Sequence, residues 1–507
     1  MNEARELFKN TNKNPDTKLI DVQDTHTDEL VIGLCGPIGS RLHPVADILT
    51  EVLKSTYDYD VKKIRLSEII KANSTNDLTK KDGKYAHVKA LITAGNKLRE
   101  EYGSDVLSKL AITKMAEERA SYKTKCGKNR NTTRRICYII DSIKNKKELT
   151  TLKSVYGDIF YCFGVYSLVG ERIKDLEDDM EHTELITLID KDSGEEQVTG
   201  QSVKKTFPLS DFFIHDEGQN NEIKKKIQRC LHLIFGSELV TPTVQEKAMY
   251  HAAAAARNSG CMSRQVGACI VDKNGEILSV GWNDVPKAFG GVYGNDPKND
   301  NRCFNYKSCE CYNQKWQQKV AEDVFTKLLK EKLIKQDTKT KVLSVLHKTR
   351  VFGLIEFSRS IHAEMNAIIL GAQKNSDKMI GGSLYCTTFP CHNCARHIVV
   401  AGIQEIYYIE PYRKSLALKL HDDVLTERAN DKTRVRIRLF DGVSPSRYMD
   451  FFSITQTRKD TNGKKTAVDT KEITPCKTSS LESFPTLEEL IVAQLIKIKL
   501  ITPQKES

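Results

Sequence analysis

The run ELVIGLCGPIGS, residues 29–40, decides how the first half of the chain folds. Its apolar stretch reads as a buried strand, its glycines break that strand, and a helical pattern, HPVADILTEVLKSTY (43–57), follows. Working outward, VKKIRL (61–66) reads as a short strand and residues 87–120 as helical. ICYIID (136–141) and DIFYCFGVY (158–166) are further apolar, β-branched or aromatic strands. SDFFIHDEG (210–218) and EIKKKIQRCLHLIFG (222–236) add one more strand and helix. This alternation predicts an α/β domain with a parallel sheet over residues 28–237, preceded by a polar arm, 1–27. A second α/β unit is expected over 238–455. It opens with TPTVQEKAMYHAAAAARNSG (241–260), where Thr243 and Glu246 have the spacing of a capping box. A lysine-rich insertion, 295–350, interrupts it, with helical spacing at 319–335. Residues 456–507 read as a polar linker and an amphipathic helix, with Thr486 and Glu489 as a second capping box.

Composition bounds the function classes. Among 507 residues, 78 Lys and Arg face 67 Asp and Glu, a net charge of +11, too small an excess for a histone-like protein. A 39% hydrophobic share excludes a wholly disordered chain. No apolar run approaches the ~18 to 20 residues of a membrane span, and the first residues lack the apolar stretch of a secretory signal, so a cytoplasmic protein with no membrane partner is expected. The 14 cysteines are scattered, as in a reduced protein.

His362-Ala363-Glu364 is followed by Pro390-Cys391-His392-Asn393-Cys394. This is the H-x-E…P-C-x-x-C arrangement of zinc-dependent deaminases. One imidazole and two thiolates, His362, Cys391 and Cys394, leave one position of a tetrahedral Zn²⁺ for water, whose pKa the metal lowers. Glu364 is then the proton shuttle. The competing reading is a structural Cys/His zinc site, with His392 or another residue as fourth ligand.

The stretches CMSRQVGACIVDKNGEILSVGWNDVP (261–286), IHAEMNAII (361–369) and TTFPCHNCARHIVVAGIQEIYYIEPY (387–412) resemble deoxycytidylate deaminases. The resemblance places Asn283 against the pyrimidine nucleotide, with a turn residue as the alternative. Ser263 and Arg264 match the family's S-R pair; the arginine suits a phosphate by charge and fork geometry, with a structural ion pair as the alternative.

Gly36-Pro37-Ile38-Gly39-Ser40-Arg41 lies where a phosphate-cradling loop belongs, between strand and helix. Against G-x-x-x-x-G-K-[ST], Arg41, Leu42 and His43 replace the glycine, lysine and hydroxyl residue. Asp141 stands where a Walker-B-like carboxylate would, or serves as a cap. The element order resembles P-loop nucleoside and nucleotide kinases, with residues 174–206 in the place of a lid. The expected fold class is therefore a P-loop kinase-like parallel-sheet domain followed by an α/β/α cytidine-deaminase-like domain. A chain so built is similar to the anti-phage dCTP deaminases of bacteria. That resemblance implies deamination of dCTP and dCMP, depletion of deoxycytidine nucleotides, a regulatory nucleotide, an inhibitory small RNA, and an even-numbered homo-oligomer such as a hexamer. A single-strand nucleic-acid deaminase and a non-catalytic nucleotide or RNA sensor are the alternatives. Cys303, Cys309 and Cys311, with His347, form either a second zinc site or free thiols.

Overall fold

The computed structural model describes residues 25–74, 83–125, 133–168, 171–172, 201–296, 298–411, 415–454 and 457–502. The lid expected at 174–206 lies outside these residues up to position 200, as does most of the 1–27 arm. In the first sheet, strands β1 (Leu30–Cys35), β2 (Asp60–Arg65), β3 (Ile136–Ile143), β4 (Phe160–Tyr166) and β5 (Phe212–His215) run parallel in the order β5-β4-β1-β3-β2. Every residue of β1 is buried, as its unbroken apolar run requires of a central strand. Edge strand β2 exposes Asp60, Lys62, Lys63 and Arg65 and buries only Val61 and Ile64.

Helices α1 (Leu42–Tyr57), α2 (Leu66–Ala72), α3 (Lys84–Tyr102), α4 (Val106–Lys125), α5 (Lys146–Tyr156) and α6 (Asn220–Phe235) cover the sheet. α1 buries Leu42, Val45, Leu49, Val52 and Leu53, each worth about 1.5–3 kcal/mol relative to exposure. It packs against α6, where Tyr57 stacks on Phe235 at 4.1 Å between ring centroids.

The second unit contains α7 (Val244–Ala256), β6 (Gly267–Val271), β7 (Ile277–Trp282), α8 (Tyr312–Lys330), α9 (Lys339–His347), α10 (Ala363–Met379), β8 (Ser383–Thr388), α11 (His392–Val400), β9 (Glu405–Glu410), β10 (Leu425–Thr426) and β11 (Val435–Leu439). Its sheet runs β10-β11-β9-β8-β6-β7, parallel from β10 to β8 and antiparallel across β8-β6-β7. The capping box at Thr243 and Glu246 is present. The alanine run after it lets α7 lie almost on β6, since a Cβ on Gly267 would stand 1.9 Å from the Ala252 carbonyl. Gly281 plays the same part on β7, where a Cβ would meet Ala367 N at 2.4 Å and Ala363 O at 2.6 Å on α10. Gly281→Ala therefore pushes α10 away, at an expected cost of about 1–3 kcal/mol with a parallel loss of turnover; thermal unfolding and a rate assay check both.

After β11 the chain returns to the first unit. β12 (Gly442–Val443) pairs antiparallel with β5 as the sixth strand of the first sheet. Phe440 meets Phe213 edge-on at 5.9 Å, so the two units share one apolar core. Glu246, its side chain fully buried, fastens this seam. It takes a bidentate pair from Arg229 of α6, 2.7 Å to each oxygen, and accepts from the Val443 N–H at 2.9 Å.

The tail helix α12 (Phe484–Lys497) packs on α4. Its N-cap is Ser483 and Pro485 sits in its first turn, so Thr486 lies inside the helix and donates to the Glu482 carbonyl. The capping box expected at Thr486 and Glu489 does not form. Glu488 joins Arg119, Glu29 and Arg134 in a buried charge cluster, and Tyr156 donates to it at 2.8 Å.

Candidate active site

Two helix starts build the centre. His362 is the N-cap of α10 and Cys391 the N-cap of α11, and Cys394 lies one turn into α11 with its N–H 3.4 Å from the Cys391 sulfur. His362 Nδ1 is 3.2 Å from Cys394 Sγ and 3.4 Å from Cys391 Sγ. Tetrahedral Zn²⁺ with ordinary Zn–N and Zn–S lengths needs N···S edges of about 3.5 Å, so the donor set fits zinc in both chemistry and spacing. Among the described residues, His362, Cys391 and Cys394 are the one group of three such donors close enough to share an ion. The thiol hydrogen bond from Cys394, with the His362 imidazole alongside, holds the Cys391 thiol down to about 4. Donating that bond, together with burial, pushes the Cys394 thiol well up. His392 stands 3.9 Å from Glu356 and is not in the group.

A cavity of about 230 Å³ opens over this centre. Glu364, 4% exposed in the first turn of α10, lines it beside His362 and Cys391. Burial raises its carboxyl pKa, which favours a group that holds and passes on a proton. Asn283 is also on the wall, yet its amide braces the backbone: the Val266 N–H donates to Oδ1 at 2.7 Å and Nδ2 donates to the Arg264 carbonyl at 2.8 Å. Each amide atom retains capacity for one more hydrogen bond. Arg264 lines the cavity and pairs with Glu410, so the ion pair is present in this structure.

The sequence reading missed Asn313. It comes from the insertion, at the start of α8, and its Nδ2 donates to the Leu354 carbonyl at 3.0 Å while its buried Oδ1 has no partner among the described residues. No local signal marks it, because the insertion folds back on the cavity through tertiary contacts. Cys311 lies 3.4 Å from the Ser263 hydroxyl, and His347 stacks on Phe352 at 3.6 Å. The structure therefore does not bring Cys303, Cys309, Cys311 and His347 together as a second metal group.

In the first unit, the loop Gly36–Arg41 joins β1 to α1. A side chain at Gly36 would stand 2.4 Å from the Val165 carbonyl, and Gly39 takes φ +80°, so both glycines are required. Ser40 N donates to Pro37 O across the turn. Asp141 is held by His43, with 2.5 Å between Nδ1 and Oδ2, and by the Ser142 hydroxyl. Arg41 reaches Asp216 at 3.5 Å. His215, ending β5, is buried, and this drives its imidazole down to about 4 against the facing carboxylate of Glu217, with Lys226 and Arg438 adding to the drop. A histidine neutral in the fold but titrating near 6.5 when unfolded makes stability fall as pH drops below 6.5 toward 4. The expected loss between pH 7.5 and 5 is about 2 kcal/mol, read by urea unfolding; His215→Gln removes this component of the slope.

The second unit thus has the architecture and donor set of a zinc-dependent deaminase. The model of the cytidine and deoxycytidylate deaminase zinc-binding region matches residues 242–410. Deoxycytidylate deaminase of Enterobacteria phage T2 is 30% identical over 159 residues, covering 31% of this chain and 76% of that protein. The human deoxycytidylate deaminase is 28% identical over 154 residues, covering 30% of this chain and 57% of its own length. The chain belongs to the deoxycytidylate deaminase family. Among solved structures, a cyanophage S-TIM5 dCMP deaminase in complex with dCMP and dUMP covers 39% of this chain and 98% of its own, at 23% identity and TM-score 0.23. Shikimate kinase of Aquifex aeolicus covers 40% and 96%, at 12% identity and TM-score 0.23. The fold rests on the strand orders given above.

Proposed function

We propose that the protein hydrolytically deaminates deoxycytidine nucleotides, dCTP and dCMP, to the uracil nucleotides and ammonia, and so depletes the dCTP pool in defence against phage. The observation that carries the catalytic part is the placement of buried Glu364 beside the His362, Cys391 and Cys394 donors at one cavity. When bound there, zinc supplies an acidified water at its fourth position. Glu364 takes a proton from the attacking water and gives it to ring N3 as oxygen bonds to C4. It then takes the remaining proton from the new C4 hydroxyl and passes it to the departing amino nitrogen; the C4–N bond breaks, C4=O forms, and ammonia leaves. Asn283 and Asn313 have hydrogen-bonding capacity for the nucleoside, and Ser263 and Arg264 suit its phosphates, the arginine after leaving Glu410. Binding of a regulatory nucleotide at Gly36–Arg41, restraint by a small RNA and an even-numbered homo-oligomer complete the proposal, on the strength of the family resemblance.

The test is ammonia and uracil formation by zinc-loaded protein given dCTP, dCMP, CTP, cytidine and single-stranded DNA separately, with Glu364→Ala as blank. Turnover of dCTP or dCMP that the variant lacks supports the proposal. Uracil appearing only in the DNA overturns it in favour of a strand editor.

A further inference from the structure

The carboxyl edge of the first sheet is where ligands of doubly wound α/β domains bind, at the crevice beyond the strand ends. In this protein that edge carries unspent polar atoms. Ser167 after β4, and His215 and Asp216 at the end of β5, are 2%, 6% and 1% exposed. Ser167 Oγ, His215 Nε2 and, on the loop itself, Ser40 Oγ have no hydrogen-bond partner among the described residues; Asp216 Oδ2 has none either, but as a carboxylate acceptor it offers nothing to a phosphate. Buried groups of this kind cost free energy unless a ligand or water satisfies them. The edge is also the start of α1, which has no side-chain cap and no acidic residue in its first turn.

Cations are already on the loop. Lys144, just beyond β3, donates to the Gly36 carbonyl at 2.7 Å, and Arg172, 4% exposed, donates to the Ile38 carbonyl at 3.0 Å. Arg41 stands at the far end of the same loop.

The Mg²⁺ that accompanies nucleotides in P-loop enzymes does not fit this site. A hard cation of that size wants oxygen ligands. The position of the metal-binding hydroxyl holds the imidazole of His43, which offers no oxygen and itself engages one oxygen of Asp141, while the Ser142 hydroxyl donates to the other. The lysine position is Leu42, 5% exposed and packed into the α1 core.

We infer that this crevice binds the polyphosphate of a nucleoside di- or triphosphate without divalent metal, with Lys144 and Arg172 supplying the positive charge the metal would bring, and that it transfers no phosphoryl group. The inference rests on the nucleotide-binding reading above and makes it specific. A side-chain ammonium and guanidinium form charge-assisted hydrogen bonds to phosphate oxygens and so can hold them without a metal. They do not bridge β- and γ-phosphate oxygens and neutralise the charge that develops in transfer, as a metal does.

The experiment is isothermal titration of the full-length, zinc-loaded protein with ATP, GTP and inorganic triphosphate, in 5 mM Mg²⁺ and in buffer freed of divalent ions, with zinc content checked in both. The dissociation constant is expected to agree within threefold between the two buffers for at least one probe. Lys144→Ala is expected to weaken that probe at least tenfold, with the thermal midpoint as control for folding. His43→Thr, at an exposed position, is expected to free Asp141 and make binding tighter in Mg²⁺ than without it. Binding that weakens tenfold or more without Mg²⁺ overturns the metal-free site and leaves nucleotide binding standing. No binding of any probe in either buffer overturns both. Release of phosphate from bound ATP overturns the statement on transfer.

Discussion

Glu364→Gln lowers the deamination rate constant by about 10³- to 10⁴-fold and leaves one zinc per chain bound. The substitution keeps the size of a side chain that is 4% exposed, so the cavity over His362, Cys391 and Cys394 keeps its shape and the three donors keep their places. What disappears is the group that carries a proton from water to the ring and then to the departing nitrogen. Metal content by elemental analysis, beside a turnover assay at saturating substrate, separates this from damage to the centre. A variant that retains more than a tenth of the wild-type rate would remove Glu364 from the chemistry. A variant that loses both rate and zinc would make the residue a support of the metal site.

Glu246→Ala is the substitution with the largest expected effect on stability, about 3–5 kcal/mol. The carboxylate is fully buried and serves three masters: the Arg229 guanidinium of α6, the amide of Val443 in β12, and the start of α7 through its capping box. Removing it strands a guanidinium and a buried amide at the seam where the two units meet. Urea unfolding measures the loss. Glu246→Gln keeps hydrogen bonding without the charge and is expected to fall between wild type and alanine. A cost below 1 kcal/mol would mean that the apolar contact of Phe440 with Phe213 holds the seam without it.

The elements legible in the sequence are those whose cause is local. β1 and β4 are continuous runs of apolar and aromatic residues, as is β3 up to Asp141, and they emerge as fully or nearly fully buried strands. The cap at Thr243 is a four-residue pattern and forms as read. The deaminase centre was legible because its chemistry is written in two short motifs, each placed by one helix start. Where local cues compete the pattern misleads: Thr486 and Glu489 have capping-box spacing, yet Pro485 already marks the first turn of α12. What could not be read depends on distant contacts. Asn313 reaches the cavity only because the insertion folds back, and Lys144 and Arg172 meet the Gly36–Arg41 loop from other strand ends. Glu246 was visible as a cap but not as the tie to Val443, which is 197 positions further along the chain.

That separation has a bearing on how the protein is made. At about 5–20 residues per second, a ribosome that has just released Glu246 needs roughly 10 to 40 s more to release Val443. Until then the edge of β5 has no neighbour on that side, and the wait for Glu488 to reach Arg119 is longer still, 369 positions. All four residues of the deaminase centre precede both partners. A message cut short after residue 410 would therefore encode every catalytic group and still yield a chain whose first sheet lacks its sixth strand. In such a fragment the edge of β5 stays open and Arg119 keeps Glu29 but lacks Glu488, so the catalytic groups are all made before the sheet that carries the first unit is closed.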